Sequence, residues 1–213
     1  MSNKPPVSAA SDLARHKSEL RRQLRQARQA LSPKHRHDAA QRVAKLARPY
    51  LKSGRRLALY QAYGSEISLQ PLLSLARQQR CRVFLPVVPK RGRCLSFTEW
   101  RPQQAGYRNR FGIVELRGVA LAAKKMHTIF MPLLGFDQQG YRLGQGGGFY
   151  DATLAFRRHY QHLQQPRLVG VAFACQQVAA VPTEAWDLPL DAVLTERGRR
   201  VFSSLRSQLR DNA

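Results

Sequence analysis

Apolar positions recur at helical spacing between Asp12 and Leu31: Leu13, Leu20, Leu24, Ala27 and Leu31 fall along one side, and Arg, Lys and Gln fill the others. The pattern predicts a basic amphipathic helix with Ser11 as its cap. Ser32-Pro33 stops it and offers an N-cap and a first-turn proline to a second helix over Lys34 to Leu51, which packs through Ala39, Ala40, Val43, Leu46, Ala47 and Tyr50. The period then shortens. Arg56 to Ala62 (RLALYQA) and Arg82 to Val88 (RVFLPVV) read as strands, with a helix from Gln70 to Gln79 between them. That is a βαβ unit, which favours a parallel sheet covered by helices on both faces. Further strands are expected over Cys94 to Trp100, Thr128 to Leu134, Arg167 to Phe173 and, as the last, Asp191 to Thr195, with a helix from Phe149 to Tyr160. There is no internal repeat and no sign of a second core. The organisation expected is a loose tail over 1–11, one α/β domain over 12–197 and a basic tail over 198–213.

Candidate chemistry concentrates where the run from Thr128 to Leu134 ends, in MPLLGFDQQGYRLGQGGGFYD (131–151). Glycine reaches positive φ without steric cost, so successive N–H groups around Gly144, Gly146, Gly147 and Gly148 can turn inward about an anion. A helix opening after Gly148 would add its own free N–H groups and partial positive charge. Arg142 stands at the loop's shoulder as a fixed cation, and Asp151 just beyond it is a candidate Mg²⁺ ligand. The loop lacks the Gly-Lys-Ser/Thr ending of a P-loop, and its glycine spacing does not fit the dinucleotide fingerprint. Strand, glycine loop and helix also describe turns that bind nothing, so the loop alone leaves the ligand open.

Charge changes the picture less than its size suggests. A net charge of +23 and a pI near 11.3 create a field that attracts polyanions, ATP and nucleic acid alike. The cations are spread along nearly the whole chain, so unspecific adhesion is favoured over a nucleic-acid function. No apolar run approaches a membrane span, and residues 1–11 lack the core of a secretory signal, although the acid-poor start shares its composition with organellar transit peptides. Cys81, Cys94 and Cys175 are odd in number and lack Cys-x-x-Cys spacing, which fits a reducing cytosol. His35 and His37, two apart on a helix, diverge and read as surface residues, and His159 with His162 share a face but have no third ligand nearby.

At the glycine stretch the chain resembles the 5-formyltetrahydrofolate cyclo-ligase (methenyltetrahydrofolate synthetase) family, whose signature reads Pro-x-x-x-Phe-Asp-x-x-Gly-x-Arg-Leu-Gly-x-Gly-x-Gly-aromatic-Tyr-Asp. Pro132, Phe136, Asp137, Gly140, Arg142, Leu143, Gly144, Gly146, Gly148, Phe149, Tyr150 and Asp151 fall in place. Four other pieces agree in order. Lys17 and Arg21 match a Lys-x-x-x-Arg helix, and Glu66 matches a loop glutamate. Asn109, Phe111, Gly112, Ile113 and Glu115 match a stretch that usually continues with proline, where this chain has Leu116. VPTEAWDLPLDAVLTE matches the family's C-terminal stretch.

The resemblance implies a single-domain three-layer α/β sandwich, Rossmann-like, with a mostly parallel sheet and helices on both faces. It implies a ligase of one-carbon metabolism: ATP- and Mg²⁺-dependent cyclisation of 5-formyltetrahydrofolate, polyglutamylated or not, to 5,10-methenyltetrahydrofolate in a cytoplasmic monomer, with no specific nucleic acid or membrane as partner. ATP would lie against Lys17, Arg21, Arg142, Leu143, Gly144, Gln145, Gly146, Gly147, Gly148, Phe149 and Tyr150. Some members carry Arg or Lys at the positions of Gln145 and Gly147. The folate falls to Glu66 and Phe111, with Gln61 and Tyr63 weaker candidates, and catalysis to Arg142, Glu66 and Tyr150. Asp151 and, secondarily, Asp187 are the metal candidates. Read by themselves, Glu66 and Asp187 fit helix-cap and turn roles as well, and Phe111 fits the core as well as a pterin face. Two rivals remain: a nucleic-acid-binding protein on this scaffold, and a non-catalytic folate-binding relative.

Overall fold

The computed structural model of the chain describes residues 7–109, 112, 114–159, 165–184 and 186–202. Its strands are β1 (Arg56–Ala58), β2 (Arg82–Val87), β3 (Ser96–Glu99), β4 (Gly106–Arg108), β5 (Val114–Leu116), β6 (Ala120–Ala122), β7 (Thr128–Pro132), β8 (Gly135–Phe136), β9 (Arg142–Leu143), β10 (Arg167–Val171), β11 (Ala192–Thr195) and β12 (Gly198–Val201). Eight of them form the main sheet, in the order β12-β11-β10-β7-β1-β2-β3-β6. The central five, β11 to β2, run parallel, and the outer pairings with β12, β3 and β6 are antiparallel.

Alternation along the parallel strands sorts the core into two layers. Leu57, Val83, Leu85, Phe130, Val169, Val171 and Leu194 point to one face, under the helices α2 (Pro33–Leu46) and α3 (Gln70–Gln78). Ala58, Phe84, Ile129, Met131, Leu168 and Val193 point to the other, where Leu154 and Phe156 join them from the segment holding the short helices α4 (Phe149–Thr153) and α5 (Phe156–His159). The expected α/β sandwich with a mostly parallel sheet is therefore present, with the two faces unequally covered.

Local differences from the sequence pattern have local causes. The first helix, α1 (Val7–Gln29), begins before Asp12, so Ser11 lies inside it rather than capping it, and part of the stretch expected as tail is helical. Its far end is held by Arg36, whose guanidinium donates to the carbonyls of Arg28, Gln29 and Leu31. Ser32 does cap α2, accepting from the His35 N–H at 3.2 Å with Pro33 in the first turn, and a 3₁₀ turn, Arg48–Tyr50, replaces the last turn expected up to Leu51. The helix expected from Phe149 to Tyr160 breaks after Thr153, whose hydroxyl donates back to the Phe149 carbonyl, a bond that bends helices, while accepting from the Leu95 N–H. Tyr160 is outside the described residues. The strand Asp191 to Thr195 is not the last: β12 follows within the stretch expected as basic tail and pairs back onto β11. No helix among the described residues is long and apolar enough to cross a membrane. The three cysteines are free thiols.

Phe130 is fully buried at the middle of the sheet, edge-on to Tyr50 with ring centroids 5.7 Å apart. Phe130→Ala is expected to cost about 3–5 kcal/mol, read as a lower urea midpoint at unchanged slope; a cost under about 1 kcal/mol would mean that this layer is not the core.

Candidate active site

A cavity of about 1110 Å³ opens at the carboxyl ends of β1, β2 and β7. Ligands of parallel α/β sheets gather at this end because the loops leaving the strands are free to shape themselves there. Three walls meet around it: one face of α1, the glycine loop between β9 and α4, and the 60–66 loop after β1.

The α1 wall is a stripe of cations. Lys17, Arg21, Arg25 and Arg28 stand four, four and three residues apart, which puts all of them on one face, and all line the cavity. Arg21 donates to the Gly144 carbonyl at 3.0 Å, Arg25 to the Gln145 side chain at 3.2 Å and Arg28 to the Ser65 hydroxyl at 2.8 Å. Burial, with the neighbouring charge of Arg25, presses the Arg21 guanidinium below its ordinary pKa, and burial does the same to Arg28. An anion between them would relieve both. Lys17 is already answered: its ammonium lies 2.7 Å from Glu184 and 3.7 Å from Asp187.

The glycine loop owes its shape to the miniature hairpin β8–β9 that precedes it. Asp137 is 3% exposed and holds the turn, accepting from the N–H groups of Gln139 and Tyr141 and, across to the 178–181 segment, from that of Val181. Gly146 (φ +102) and Gly148 (φ +67) take conformations that L side chains rarely adopt. Gly148 is the left-handed N-cap of α4 and presents no capping side chain. Arg142, in β9, is nearly buried; it donates to the Leu188 carbonyl at 2.9 Å and forms an ion pair with Asp151.

The third wall carries the polar groups that are not cations. Glu66 accepts from the Tyr63 N–H at 3.0 Å and from the Gln145 amide at 3.3 Å, so it faces the glycine loop across the cavity. Burial and the Glu66 charge push the Tyr150 hydroxyl above its ordinary pKa, as they do that of Tyr60, so both stay protonated at neutral pH. Glu115, 2% exposed, accepts from the Val88 N–H, the Asn109 amide and the Tyr107 hydroxyl, and so pins the β4–β5 hairpin to the end of β2. Leu116, in place of the usual proline, is buried in β5 opposite Gly106.

Every residue expected at the site from the sequence lines this one cavity except Phe111, which lies outside the described residues. Lys17, Arg21, Gln61, Tyr63, Glu66, Asp151 and Asp187 are brought together with the 142–150 loop from separate parts of the chain. Sequence reasoning passed over Arg25, Arg28, Arg93 and Arg158, which also line it. The first two were available from the helical period that picked out Lys17 and Arg21; the other two depend on where their loops and short helices fold back. Asp151 gives one oxygen to Arg142, and its carboxylate, 43% exposed, stands beside the cavity. Asp187 is already engaged, accepting from the Glu184 N–H at 2.9 Å beside Lys17. No group of three metal-binding side chains occurs among the described residues.

A mostly parallel α/β sheet whose carboxyl end holds a cation-lined cavity with a buried tyrosine, Tyr60, and a carboxylate has the layout of an enzyme acting on anionic small molecules. Comparison with known proteins makes this specific. The model of the 5-formyltetrahydrofolate cyclo-ligase family matches residues 14–196, and the chain belongs to that family. It is 36% identical over 179 residues to the 5-formyltetrahydrofolate cyclo-ligase of Escherichia coli (strain K12), covering 81% of this chain and 96% of that one. It is 34% identical over 184 residues to the Haemophilus influenzae protein of the same name, covering 84% and 96%. Among solved structures, the Aquifex aeolicus 5,10-methenyltetrahydrofolate synthetase superposes with a TM-score of 0.72 at 30% identity, over 88% of this chain and 93% of that one.

The raised tyrosine pKa values carry a stability signature. An unfolded chain loses the Tyr150 proton near its ordinary value of 10.0, while the folded chain keeps it, so this contribution is full below pH 10 and is lost as pH rises beyond it. The melting temperature is expected to fall above that pH, and more gently in Tyr150→Phe; equal slopes in the two proteins would mean that folding does not hold the Tyr150 proton.

Proposed function

We propose that the chain catalyses the ATP- and Mg²⁺-dependent cyclisation of 5-formyltetrahydrofolate to 5,10-methenyltetrahydrofolate, releasing ADP and phosphate. The observation that carries this reading is the single cavity that joins a cationic helix face and a glycine loop to Glu66, Gln61 and Tyr150. One side is suited to a triphosphate and the other to a formylated amide. The same reading takes the protein as a cytoplasmic monomer.

The chemistry explains why a nucleotide is needed. An amide oxygen is a very poor leaving group, so ring closure cannot simply expel it. The formyl oxygen attacks the γ-phosphorus: an O–P bond forms, the bond to the β-phosphate oxygen breaks, and ADP departs. The second folate nitrogen then attacks the formyl carbon, the C–O bond to phosphate breaks, and that nitrogen's proton goes to solvent. Phosphoryl transfer of this kind asks for positioning and neutralised charge rather than covalent help.

In this reading Lys17, Arg21 and Arg142, with the N–H groups of Gly144 to Gly148, receive the phosphates. Glu66 orients the formyl amide, and the protonated Tyr150 hydroxyl donates to substrate or phosphate oxygen throughout the neutral range. Asp151 is the residue that would hold Mg²⁺, directly or through water, and the ion would supply neutralisation of the phosphate charge.

Arg142→Ala and Asp151→Ala are expected to abolish ATP-dependent growth of methenyl absorbance while circular dichroism shows the fold retained; normal turnover in both variants would overturn the site assignment. Lys17→Ala is expected to raise the KM for ATP with a smaller change in kcat, and an unaltered ATP dependence would take Lys17 out of the phosphate site. In the unaltered protein, folate binding without ATP consumption would instead identify a non-catalytic relative.

A further inference from the structure

The pole of the sheet opposite the cavity has its own charge pattern. β1, β2 and β10 each begin with arginine, and the register sets Arg56 beside Arg82 and Arg167 beside Thr128. Backbone bonds join the strand starts into one row: the Arg82 N–H donates to the Arg55 carbonyl at 2.8 Å, His127 to Arg56 at 2.9 Å and Arg167 to His127 at 2.9 Å. The Gly54 N–H donates to the Arg80 carbonyl at 3.0 Å, and the Arg56 side chain reaches the Lys125 carbonyl. Arg56 and Arg82 thus stand one strand apart along the amino edge, about 5 Å, and Arg167 stands beyond β7, which itself begins with Thr128.

Carboxylates do not answer them. Among the described residues, none of Arg55, Arg56, Arg80, Lys124, Lys125 and Arg167 forms an ion pair with an acid. Arg82 is paired with Glu99, and Asp191 at this pole is taken by Arg157 and the Leu168 N–H. The acids that could neutralise the edge sit largely at the other pole: Glu66, Glu115, Asp151, Glu184 and Asp187 line the cavity or brace its walls. His127, lodged in the row, has its pKa pressed down by burial first and then by Arg56 and Arg55, which registers the unbalanced field. A solvated charged face would scatter its partners; here the acids are segregated.

We propose that this amino edge is a second binding surface, for the phosphate backbone of single-stranded nucleic acid, engaged without regard to sequence. A chain of phosphates is the anion whose repeated charges match a row of cations. Beside the row a shallow cavity of about 260 Å³ is lined by Arg77, Arg82, Glu99 and Trp100, with the Arg77 guanidinium 5.2 Å from the centre of the Trp100 ring. That guanidinium covers a face of the ring, which is half-buried against the core, so the pocket extends the cationic edge by Arg77. An anionic bilayer is the poorer occupant. Among the described residues, the exposed large apolar side chains nearest this pole, Val119 and Val201, lie at the two outermost strands, away from the middle of the row.

The test is fluorescence anisotropy of a labelled oligouridine of about 20 nucleotides with the full chain, between about 50 and 200 mM salt. The unaltered protein is expected to bind with steep salt dependence. The triple variant Arg55→Gln, Lys124→Gln, Lys125→Gln is expected to bind roughly 10- to 100-fold more weakly, with a salt slope lower by about 2, and to keep its cyclo-ligase activity. The control, Arg15→Gln, Arg22→Gln, Lys34→Gln, removes the same charge from cations that already have acid partners, and should bind within about twofold of the unaltered protein. Equal losses in both variants, no binding at the lowest salt, or tighter binding to phosphatidylserine vesicles than to the oligonucleotide would each overturn the proposal. None of these results bears on the cavity at the other pole.

Discussion

The packing of Leu24 against the β8–β9 hairpin is the interaction on which the site depends. α1 belongs to neither helical layer of the sandwich and carries a stripe of cations that gains nothing by burial. Leu24, 5% exposed, is held between Leu143 and Val181, and a Cβ placed on Gly135 would lie 2.6 Å from its Cδ1. Gly135 is therefore glycine because a leucine occupies the space. Burying one leucine contributes about 1.5–3 kcal/mol, and Leu20, one turn earlier, packs against the same cluster, so the two together fix the rotation of the helix. That rotation decides whether Lys17, Arg21, Arg25 and Arg28 face the cavity or the solvent.

The scarce acids show the same economy. With 13 Asp and Glu against 36 Lys and Arg, the chain spends its carboxylates where several donors converge. Asp137 collects three backbone N–H groups and Glu115 collects one N–H, one amide and one hydroxyl, so each stitches two segments that are distant in sequence. Removing either would leave buried donors unmet, at about 1–3 kcal/mol each. Most other cations are left to solvent, and self-repulsion of the compact state is the cost.

Much of this was legible in the sequence, for a physical reason. Hydrophobic period marks whatever is buried against something large, and so the parallel strands and α2 and α3 were evident. The two-residue strands β8 and β9, the β4–β5 hairpin and β12 have too few residues to show a period, and they exist because hydrogen bonds elsewhere require them. The break after Thr153 was hidden for a similar reason, since a threonine hydroxyl reveals its choice of partner only in three dimensions. At the site, the signature stretch carried its own alignment of chemical groups, and the helical period carried the rest of the cation stripe. The roles of Asp137 and Glu115 could not be read, because a motif records that an acid is present and not which N–H groups it gathers.

The pairing of Lys17 with Glu184 and Asp187 has a thermodynamic corollary. An anion that claims this lysine strands two carboxylates next to its own charge, and like charges so placed repel. Filling the cleft is then an exchange of partners rather than a simple capture, favoured when a counter-cation travels in with the guest. Affinity for the anion and affinity for its escorting ion become two faces of a single linked equilibrium.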